Sequence, residues 1–374
     1  MDLKLYPGKL RGSVTMPPSK SLHHRVLIAS ALSGRMPYCT NDMGDDVRNT
    51  CLGLQTLLSG SDVPIDCGES GTTLRLLLPL AMTMRDETCF CGTERLLSRP
   101  MPPYAAIAQE GDRIRVTGRL TAGEYRISGR LPSQFISGLL FALPLLTGDS
   151  TIVLTEPLDS LGYINMTLQV LERFGIVVEE AGCGYRVPGG QRYRYAEMPI
   201  EGDWSAASNF FVANALGSEI TVNGVETPSV QADSLVARLV EEGLPKWLDV
   251  ADVPDSVPAL VLLAALTPGH TTVLHHAGRS RIKELNRLRS MSKALKPLGG
   301  TVMYTGESLF VFGREILAGG EVDTLCDHRI AMMAAIAATR SADSVIIHGA
   351  ECVSKSYPAF WNDLRTLGMR IEEL

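Results

Sequence analysis

The chain has 374 residues, 45% of them hydrophobic and 20% charged, which exceeds the size at which a single core stops growing and predicts a globular protein of two domains. A net charge of −6 argues against a nucleic-acid partner, and no apolar run approaches the ~18 residues that a membrane span requires. The opening residues Met1 to Leu5 lack the basic and apolar regions of an export signal, so the protein is expected in the cytoplasm; its eight cysteines, without a CxxC pair, are expected as reduced and mostly buried thiols with no bound metal.

Taken in chain order, six segments share one design: a polar or charged cluster runs directly into an apolar stretch of about three helical turns. They cover 19–32, 70–82, 133–146, 203–216, 255–266 and 327–338, and most open on Ser or Asp, residues that cap helix N-termini. Their apolar faces are too broad for surface helices, which predicts central, buried ones. After most of them comes a turn and a β-branched strand, as in Gly148-Asp-Ser-Thr-Ile-Val-Leu, Gly217-Ser-Glu-Ile-Thr-Val, Pro268-Gly-His-Thr-Thr-Val-Leu and Ser344-Val-Ile-Ile. Amphipathic helices are then expected at 46–58, 163–174, 233–242, 284–298 and 357–367, with a weaker one at 102–109. Six strand-and-two-helix units predict two pseudo-symmetric α/β globules of three units, with helices inside and sheets outside.

A helix N-terminus presents unpaired N–H groups and the positive end of its dipole, so several converging starts would form an anion site. The starts here carry extra cations: Lys20 and Arg25 on the first, Arg75 on the second, Arg329 on the last, and Lys283 with Arg287 at the amphipathic helix of the fifth unit. Arg95 and Arg99 lie in Gly92-Thr-Glu-Arg-Leu-Leu-Ser-Arg-Pro, and Lys355 lies in Val353-Ser-Lys-Ser-Tyr-Pro. Placed at equivalent junctions, these nine cations point to small, strongly anionic ligands. Asp255 and Glu284 are the acid/base candidates, a cation beside Glu284 being able to set its protonation; equally, Asp255 is a helix cap and Glu284 a first-turn acid that favours the dipole.

The motif Pro17-Pro-Ser-Lys-Ser-Leu-His-His-Arg resembles the opening of the 5-enolpyruvylshikimate-3-phosphate synthase family. Further matches follow in order along nearly the whole chain: Glu69-Ser-Gly-Thr-Thr-Leu-Arg, the Arg95/Arg99-Pro loop, Ser133-Gln-Phe, Ser160-Leu-Gly-Tyr, Glu201-Gly-Asp, Pro254-Asp, Arg281-Ile-Lys-Glu-Leu-Asn-Arg, Asp327-His-Arg-Ile-Ala-Met and Lys355-Ser-Tyr-Pro. The resemblance implies the two-domain, pseudo-symmetric enolpyruvyl transferase fold, an inside-out α/β barrel of six repeated units. It places an N-terminal globule at 14–200, a C-terminal globule at 1–13 plus 201–374, and the active site in the cleft between them.

The implied activity is transfer of the enolpyruvyl group of phosphoenolpyruvate to the 5-hydroxyl of shikimate 3-phosphate, by a monomer that needs neither cofactor nor metal. Shikimate 3-phosphate would be held by Lys20, Ser21, Arg25, Ser133, Gln134, Ser160, Tyr163, Asp255 and Lys283. Phosphoenolpyruvate would be held by Lys20, Gly71, Arg95, Gln134, Arg287, Arg329 and Lys355. Catalysis would fall to Asp255, Glu284 and Lys20, with His328 supporting Glu284, and Gly71 would leave room for the inhibitor glyphosate.

Several positions depart from the family pattern. Pro132 stands where a first phosphate-binding Ser is usual, Arg279 replaces an asparagine, and Leu285-Asn286 replaces a Ser/Thr-Asp pair. The chain is also expected to be trimmed between Leu58 and Asp66, between Met101 and Gly129 and between Asp233 and Asp255, leaving smaller outer sheets. Two alternatives are weighed: the related UDP-N-acetylglucosamine enolpyruvyl transferases, whose Lys-Asn pair and loop cysteine are absent here, and a non-catalytic relic that binds phosphorylated acids.

Overall fold

The computed structural model describes residues 1–40, 42–278 and 287–374. They form two compact units, Met1–Ser19 with Glu201–Leu374, and Lys20–Ile200. The chain opens with strands β1 (Asp2–Leu5) and β2 (Arg11–Thr15), both of which pair with segments far along the sequence.

In the unit 20–200, helices α1 (Lys20–Leu32) and α2 (Asp45–Leu58) precede β3 (Ile65–Asp66), α3 (Gly71–Met84), β4 (Glu87–Cys91) and the single turn α4 (Glu94–Leu97). Strands β5 (Ala106–Glu110), β6 (Arg113–Thr117) and β7 (Glu124–Ile127) lead to α5 (Ser133–Ala142), β8 (Ser150–Leu154), α6 (Leu161–Arg173), β9 (Glu179–Ala181) and β10 (Gly184–Val187). Two four-stranded sheets result, ordered β3-β4-β6-β5 and β7-β8-β10-β9, each with one parallel edge pair followed by two antiparallel pairs. The apolar helices α3 and α5 lie at the centre and pack closely. Gly138 makes that approach possible, because a Cβ there would sit 2.5 Å from the Arg75 carbonyl and 2.8 Å from Pro79.

The helix expected at 102–109 is instead coil running into β5, which pairs antiparallel with β6 around a tight turn at Gly111 (φ +63°). A left-handed glycine between two short β-capable runs decides for a hairpin over the weak helical pattern. The segment 101–129 accordingly keeps a complete sheet. The missing sheet belongs to the first repeat, where coil follows α1 and α2 runs directly into β3.

The remaining chain adds α7 (Trp204–Ala215), β11 (Glu219–Asn223), α8 (Leu235–Glu242), β12 (Trp247–Asp249), α9 (Val257–Ala265) and β13 (Thr271–His275). Then come α10 (Arg287–Leu295), β14 (Thr301–Thr305), β15 (Ser308–Phe312), β16 (Gly320–Asp323), α11 (His328–Ala337), β17 (Val345–His348), α12 (Phe360–Thr366) and β18 (Ile371–Glu373). Sheets β12-β13-β15-β14 and β16-β17-β1-β18 repeat the topology of the other unit, and β11-β2 is a two-stranded remnant. Every residue of α9 and α11 is buried, and both pack on α7 at the core. Burying each Leu, Ile or Val side chain of these helices contributes roughly 1.5–3 kcal/mol, so the broad apolar faces are what hold the unit together.

The division between units falls after Ser19, so residues 14–19 lie with 201–374 and not with the globule that follows them. Backbone pairing is the reason: β2 runs parallel to β11 through Thr15, Met16 N–H donates to Asn223, and Ser19 N–H donates to Glu201. Of the expected caps, Ser70, Asp203 and Asp327 each accept a helix N–H. Ser19 donates its hydroxyl to Gln231 (2.8 Å), Ser133 is the first helical residue after Pro132, and Asp255 stands just before the start of α9.

The cysteines correct a second expectation. Cys39 and Cys51 form a disulfide that ties the coil after α1 to the buried face of α2, and of the six free thiols only Cys67 and Cys352 are buried. Among the described residues no strand pairs with this coil, and the bridge fixes it to α2. Among the described residues no helix is long and apolar enough to cross a membrane.

Inside the unit 20–200 a chain of buried hydroxyls joins three helices: His24 Nδ1 meets Thr50 Oγ1 at 2.7 Å, Thr50 meets Thr73 at 2.7 Å, and Thr73 meets Ser70 Oγ at 2.8 Å. Burial, reinforced by Lys20, His23 and Arg25, holds His24 well below the usual imidazole range, so it is neutral. Its folded-state proton affinity is depressed, so its contribution to stability is present above the unfolded value near 6.5 and lost as pH falls below it. The melting temperature of His24→Asn, relative to the parent, is therefore expected to rise as pH is lowered from 7 to 5; a constant difference would rule out this linkage. Reduction of the Cys39–Cys51 bridge, which closes a 12-residue separation, is expected to cost about 3 kcal/mol, seen as a lower melting temperature in dithiothreitol that Cys39→Ser abolishes.

Candidate active site

In the unit 20–200, the residues singled out from the sequence lie at the starts of α1, α3, α5 and α6. Lys20 opens α1 and is almost wholly buried, a state a lysine tolerates only with a counter-ion. Asp46 provides it, its Oδ2 accepting from Nζ at 3.0 Å, while the Asp46 carbonyl accepts from Thr73 Oγ1 at 3.1 Å. Lys20 is thereby fixed beside the first turn of α3.

At that turn Gln134 accepts from Arg75 Nη1 (2.9 Å) and donates to Thr72 Oγ1 (3.0 Å). A Cβ on Gly71 would lie 2.9 Å from Arg75 Nη1 and 3.0 Å from Arg99 Nη1, so a hydrogen in place of a side chain leaves space beside two guanidiniums. The cations standing at Gly71 are thus Arg75 and, from the loop, Arg99, whereas Arg95, the candidate from the sequence, lies a turn earlier on α4. Nε and Nη2 of Arg99 are buried and donate no hydrogen bond, which leaves this fork able to take an anion.

Arg25 is turned inward. It donates to Thr167 Oγ1 (2.8 Å), the Ser21 carbonyl (2.7 Å), the Tyr163 carbonyl (3.1 Å) and Ser137 Oγ (3.4 Å), and burial lowers its guanidinium to about 10. Four of its five N–H groups are therefore spent on joining α1, α5 and α6. Ser160, buried at the entry to α6, is left-handed (φ +59°), a conformation that costs an ordinary residue about 1–2 kcal/mol, and its carbonyl accepts from the Tyr163 N–H. Ser133 is buried at the start of α5.

In the unit that holds both chain ends, a fully buried Arg287 is gripped from two sides. Nε and Nη2 donate to Asp327 (2.8 and 3.3 Å), and Nη1 donates to Asp255 Oδ1 (3.0 Å) and to the Pro254 carbonyl (3.3 Å). Asp327 Oδ1 also caps α11 by accepting from the Arg329 N–H, and the Arg329 guanidinium lies 3.6 Å from Asp203, which caps α7. Lys355 donates to the Cys326 carbonyl at 2.6 Å, on a loop whose Leu325 and Cys326 are both left-handed. His328 is buried at the first position of α11. The structure thus brings Asp255, Arg287, Arg329 and Lys355 around residues 326 and 327, whereas Arg279, Lys283, Glu284 and Leu285-Asn286 lie outside the described residues.

Sequence reasoning named the cations but not their carboxylate partners. Asp46, Asp203 and Asp327 each neutralise one of them, and Asp233, fully buried, is pushed up to about 6 by burial and then by the neighbouring Asp255. The available signal was that each of these aspartates stands at or near a helix start. Among the described residues no group of three His, Cys, Asp or Glu side chains could hold a metal ion.

Helix N-termini bearing buried, positioned guanidinium and ammonium groups suit compact anions such as phosphates and carboxylates. Comparison with known proteins agrees. The model of the EPSP synthase (3-phosphoshikimate 1-carboxyvinyltransferase) family matches residues 6–364. The 3-phosphoshikimate 1-carboxyvinyltransferase of Clostridium kluyveri is 37% identical over 421 aligned positions, covering 99% of this chain and 98% of that protein. That of Clostridium acetobutylicum is 36% identical, with the same coverage of each chain. An alignment of 421 positions against 374 residues means that the relative carries segments this chain lacks. Among solved structures, EPSP synthase from Acinetobacter baumannii superposes with a TM-score of 0.76 at 22% identity over 100% of both chains. The enolpyruvyl transferase NikO from Streptomyces tendae gives 0.73 at 16% identity, covering 99% of this chain and 98% of that one. The two superpositions show the shared fold, and the match along nearly the entire sequence shows more: this chain belongs to the EPSP synthase (3-phosphoshikimate 1-carboxyvinyltransferase) family.

Proposed function

We propose that the chain transfers the enolpyruvyl group of phosphoenolpyruvate to the 5-hydroxyl of shikimate 3-phosphate and releases phosphate, a step of the shikimate pathway toward aromatic amino acids. The observation that carries this reading is the family match from residue 6 to residue 364, with buried cations standing at the helix starts where two phosphorylated acids would need them. We take the protein to act in the cytoplasm as a monomer.

In this reading phosphoenolpyruvate lies against Lys20, Gly71, Gln134, Arg287, Arg329 and Lys355, with Arg99 joining or replacing Arg95 because its guanidinium stands at Gly71. Shikimate 3-phosphate lies against Ser21, Ser133, Gln134, Ser160, Tyr163, Asp255 and Lys283. Arg25 serves it indirectly, by anchoring the Ser21 and Tyr163 main chain. The reaction is an addition followed by an elimination. Asp255 accepts the proton of the 5-hydroxyl as that oxygen bonds to C2 of phosphoenolpyruvate, and Glu284 protonates C3 to give a methyl group. Glu284 then takes a proton back from the methyl group as the C2–O bond to phosphate breaks, and Lys20 neutralises the leaving phosphate. His328 supports Glu284. Phosphoenolpyruvate carries its own leaving group, so these proton transfers need no organic cofactor.

Phosphate release should require phosphoenolpyruvate and shikimate 3-phosphate together. Release with UDP-N-acetylglucosamine in place of shikimate 3-phosphate would reassign the acceptor, and none with either would leave a binding protein. Glu284→Gln should lower kcat at least ~100-fold while both substrates still bind. Turnover at the parent rate would remove Glu284 from the mechanism. Gly71→Ala puts a methyl group against Arg75 and Arg99; the KM for phosphoenolpyruvate should rise several-fold and the glyphosate needed for half-inhibition should rise with it. Unchanged values for both would place phosphoenolpyruvate elsewhere.

A further inference from the structure

Residues 17–19 and 201–203, far apart in sequence, run against each other inside the unit that holds both chain ends. Asp203 N–H donates to the Pro17 carbonyl (2.8 Å), Pro18 and Gly202 form an antiparallel bridge, and Ser19 N–H donates to the Glu201 carbonyl (2.8 Å). Gly202 has no room for a side chain in this crossing, since a Cβ would lie 2.5 Å from the Gly224 carbonyl oxygen and 2.9 Å from Met16 Cβ. Both segments turn into helices at once: α1 starts at Lys20 and α7 at Trp204.

One buried amide joins the two segments. Gln231 Oε1 accepts from Ser19 Oγ (2.8 Å) and from the Trp204 N–H (3.1 Å), and its Nε2 donates to the Gly202 carbonyl (2.8 Å). A main-chain N–H can only donate and a carbonyl only accept, so these partners fix which end of the amide faces which. A second route closes a ring. The Gln231 N–H donates to Ser229 Oγ (2.9 Å), and Ser229 donates to Oε1 of Glu201 (2.7 Å), the residue whose carbonyl receives the Ser19 N–H. Buried hydrogen-bonding groups are costly to leave unpaired, so the three side-chain contacts hold both the residue before Lys20 and the first residue of α7 in place.

Each of these helix starts governs a cation assigned above to phosphoenolpyruvate. Lys20 directly follows Ser19. Asp203, directly before Trp204, caps α7 and lies 3.6 Å from the Arg329 guanidinium. We propose that Gln231 is a positioning residue for phosphoenolpyruvate, a single uncharged amide that sets where Lys20 and Arg329 stand. The inference rests on the placement of phosphoenolpyruvate against those two cations. Gln231 touches neither substrate in this scheme. Ser21, the nearest group assigned to shikimate 3-phosphate, is anchored separately by Arg25, which donates to its carbonyl at 2.7 Å, so the effect of Gln231 falls on one substrate and not on both.

The test measures kcat and KM for phosphoenolpyruvate and shikimate 3-phosphate in the parent, Gln231→Met, Ser19→Ala, Lys20→Ala and the Ser19→Ala/Lys20→Ala double variant, with melting temperatures alongside. Gln231→Met keeps the length of the side chain and removes its amide hydrogen bonds. Its KM for phosphoenolpyruvate is expected to rise about tenfold, with the KM for shikimate 3-phosphate changed by less than about twofold. Ser19→Ala should act in the same direction by less, and it decides the matter if Gln231→Met does not fold. Adding Ser19→Ala to Lys20→Ala should raise the KM for phosphoenolpyruvate no further, since the side chain it places is then gone. An unmoved KM for phosphoenolpyruvate whatever the melting temperature, equal rises in both KM values, or fully additive effects in the double variant would each overturn the proposal. A parent-like KM for phosphoenolpyruvate in Lys20→Ala would instead overturn the placement of that substrate on which the inference depends.

Discussion

A guanidinium is removed from water only where other groups take up its hydrogen bonds and offset its charge, and in the unit formed by the two ends of the chain carboxylates do this. Arg287 is completely buried and reaches Asp255 and Asp327 at once, so the segment before α9, the start of α10 and the cap of α11 must meet at one point. Asp327 spends one of its oxygens on both Arg287 and the first turn of α11, so the ion pair and the helix start are one construction. Arg329 extends it to Asp203 and the start of α7. The three central apolar helices of the unit are thereby registered at their N-terminal ends by charge and along their lengths by packing.

The other unit solves the same problem with fewer carboxylates and more carbonyls and hydroxyls. Lys20 is answered by Asp46, Arg25 by two carbonyls and two hydroxyls, and Gln134 by Arg75. Arg25 is therefore costly to alter in either direction: its removal would leave carbonyls unanswered, and lysine lacks the planar fork that reaches four acceptors. Around Gly71 the arrangement is looser. Two nitrogens of Arg99 remain without a partner there, which is the condition expected of a group whose proper partner is a ligand.

Much of this was legible in the sequence because the apolar helices carry two concurrent signals, a long hydrophobic run and a polar residue at its start. All six were placed within a few residues, since no surface helix has ten successive buried positions as α11 does. The strands after α5, α7, α9 and α11 were equally clear from Val, Ile and Thr beyond a turn. What failed was decided by partners distant in sequence. Residues 106–110 have a pattern that suits a helix as well as a strand, and only β6 on their flank settles it. Residues 14–19 read as the beginning of the first globule until their pairing with 201–223 is seen. Cys39 and Cys51 carry no spacing that announces a bridge. The candidate site shows the same divide: cations at motif positions could be picked out singly, but the carboxylate each one needs could not, and the choice between Arg95 and Arg99 rests on which side chain reaches Gly71.

The place of β1 has a consequence for how the polypeptide is built. This strand lies between β17 and β18, so residues 2–5 hydrogen-bond with residues 345–348 and 371–373. Contacts of such separation cannot form until residues 345–373 have been synthesised, and the entropy of closing so long a loop must be met before they repay it. The strands of the stretch 20–200 pair only with one another, so among the described residues its sheets have no such dependence. The inserted unit can accordingly condense first, whereas the leading strand must await the two later strands, β17 and β18, that enclose it on both edges.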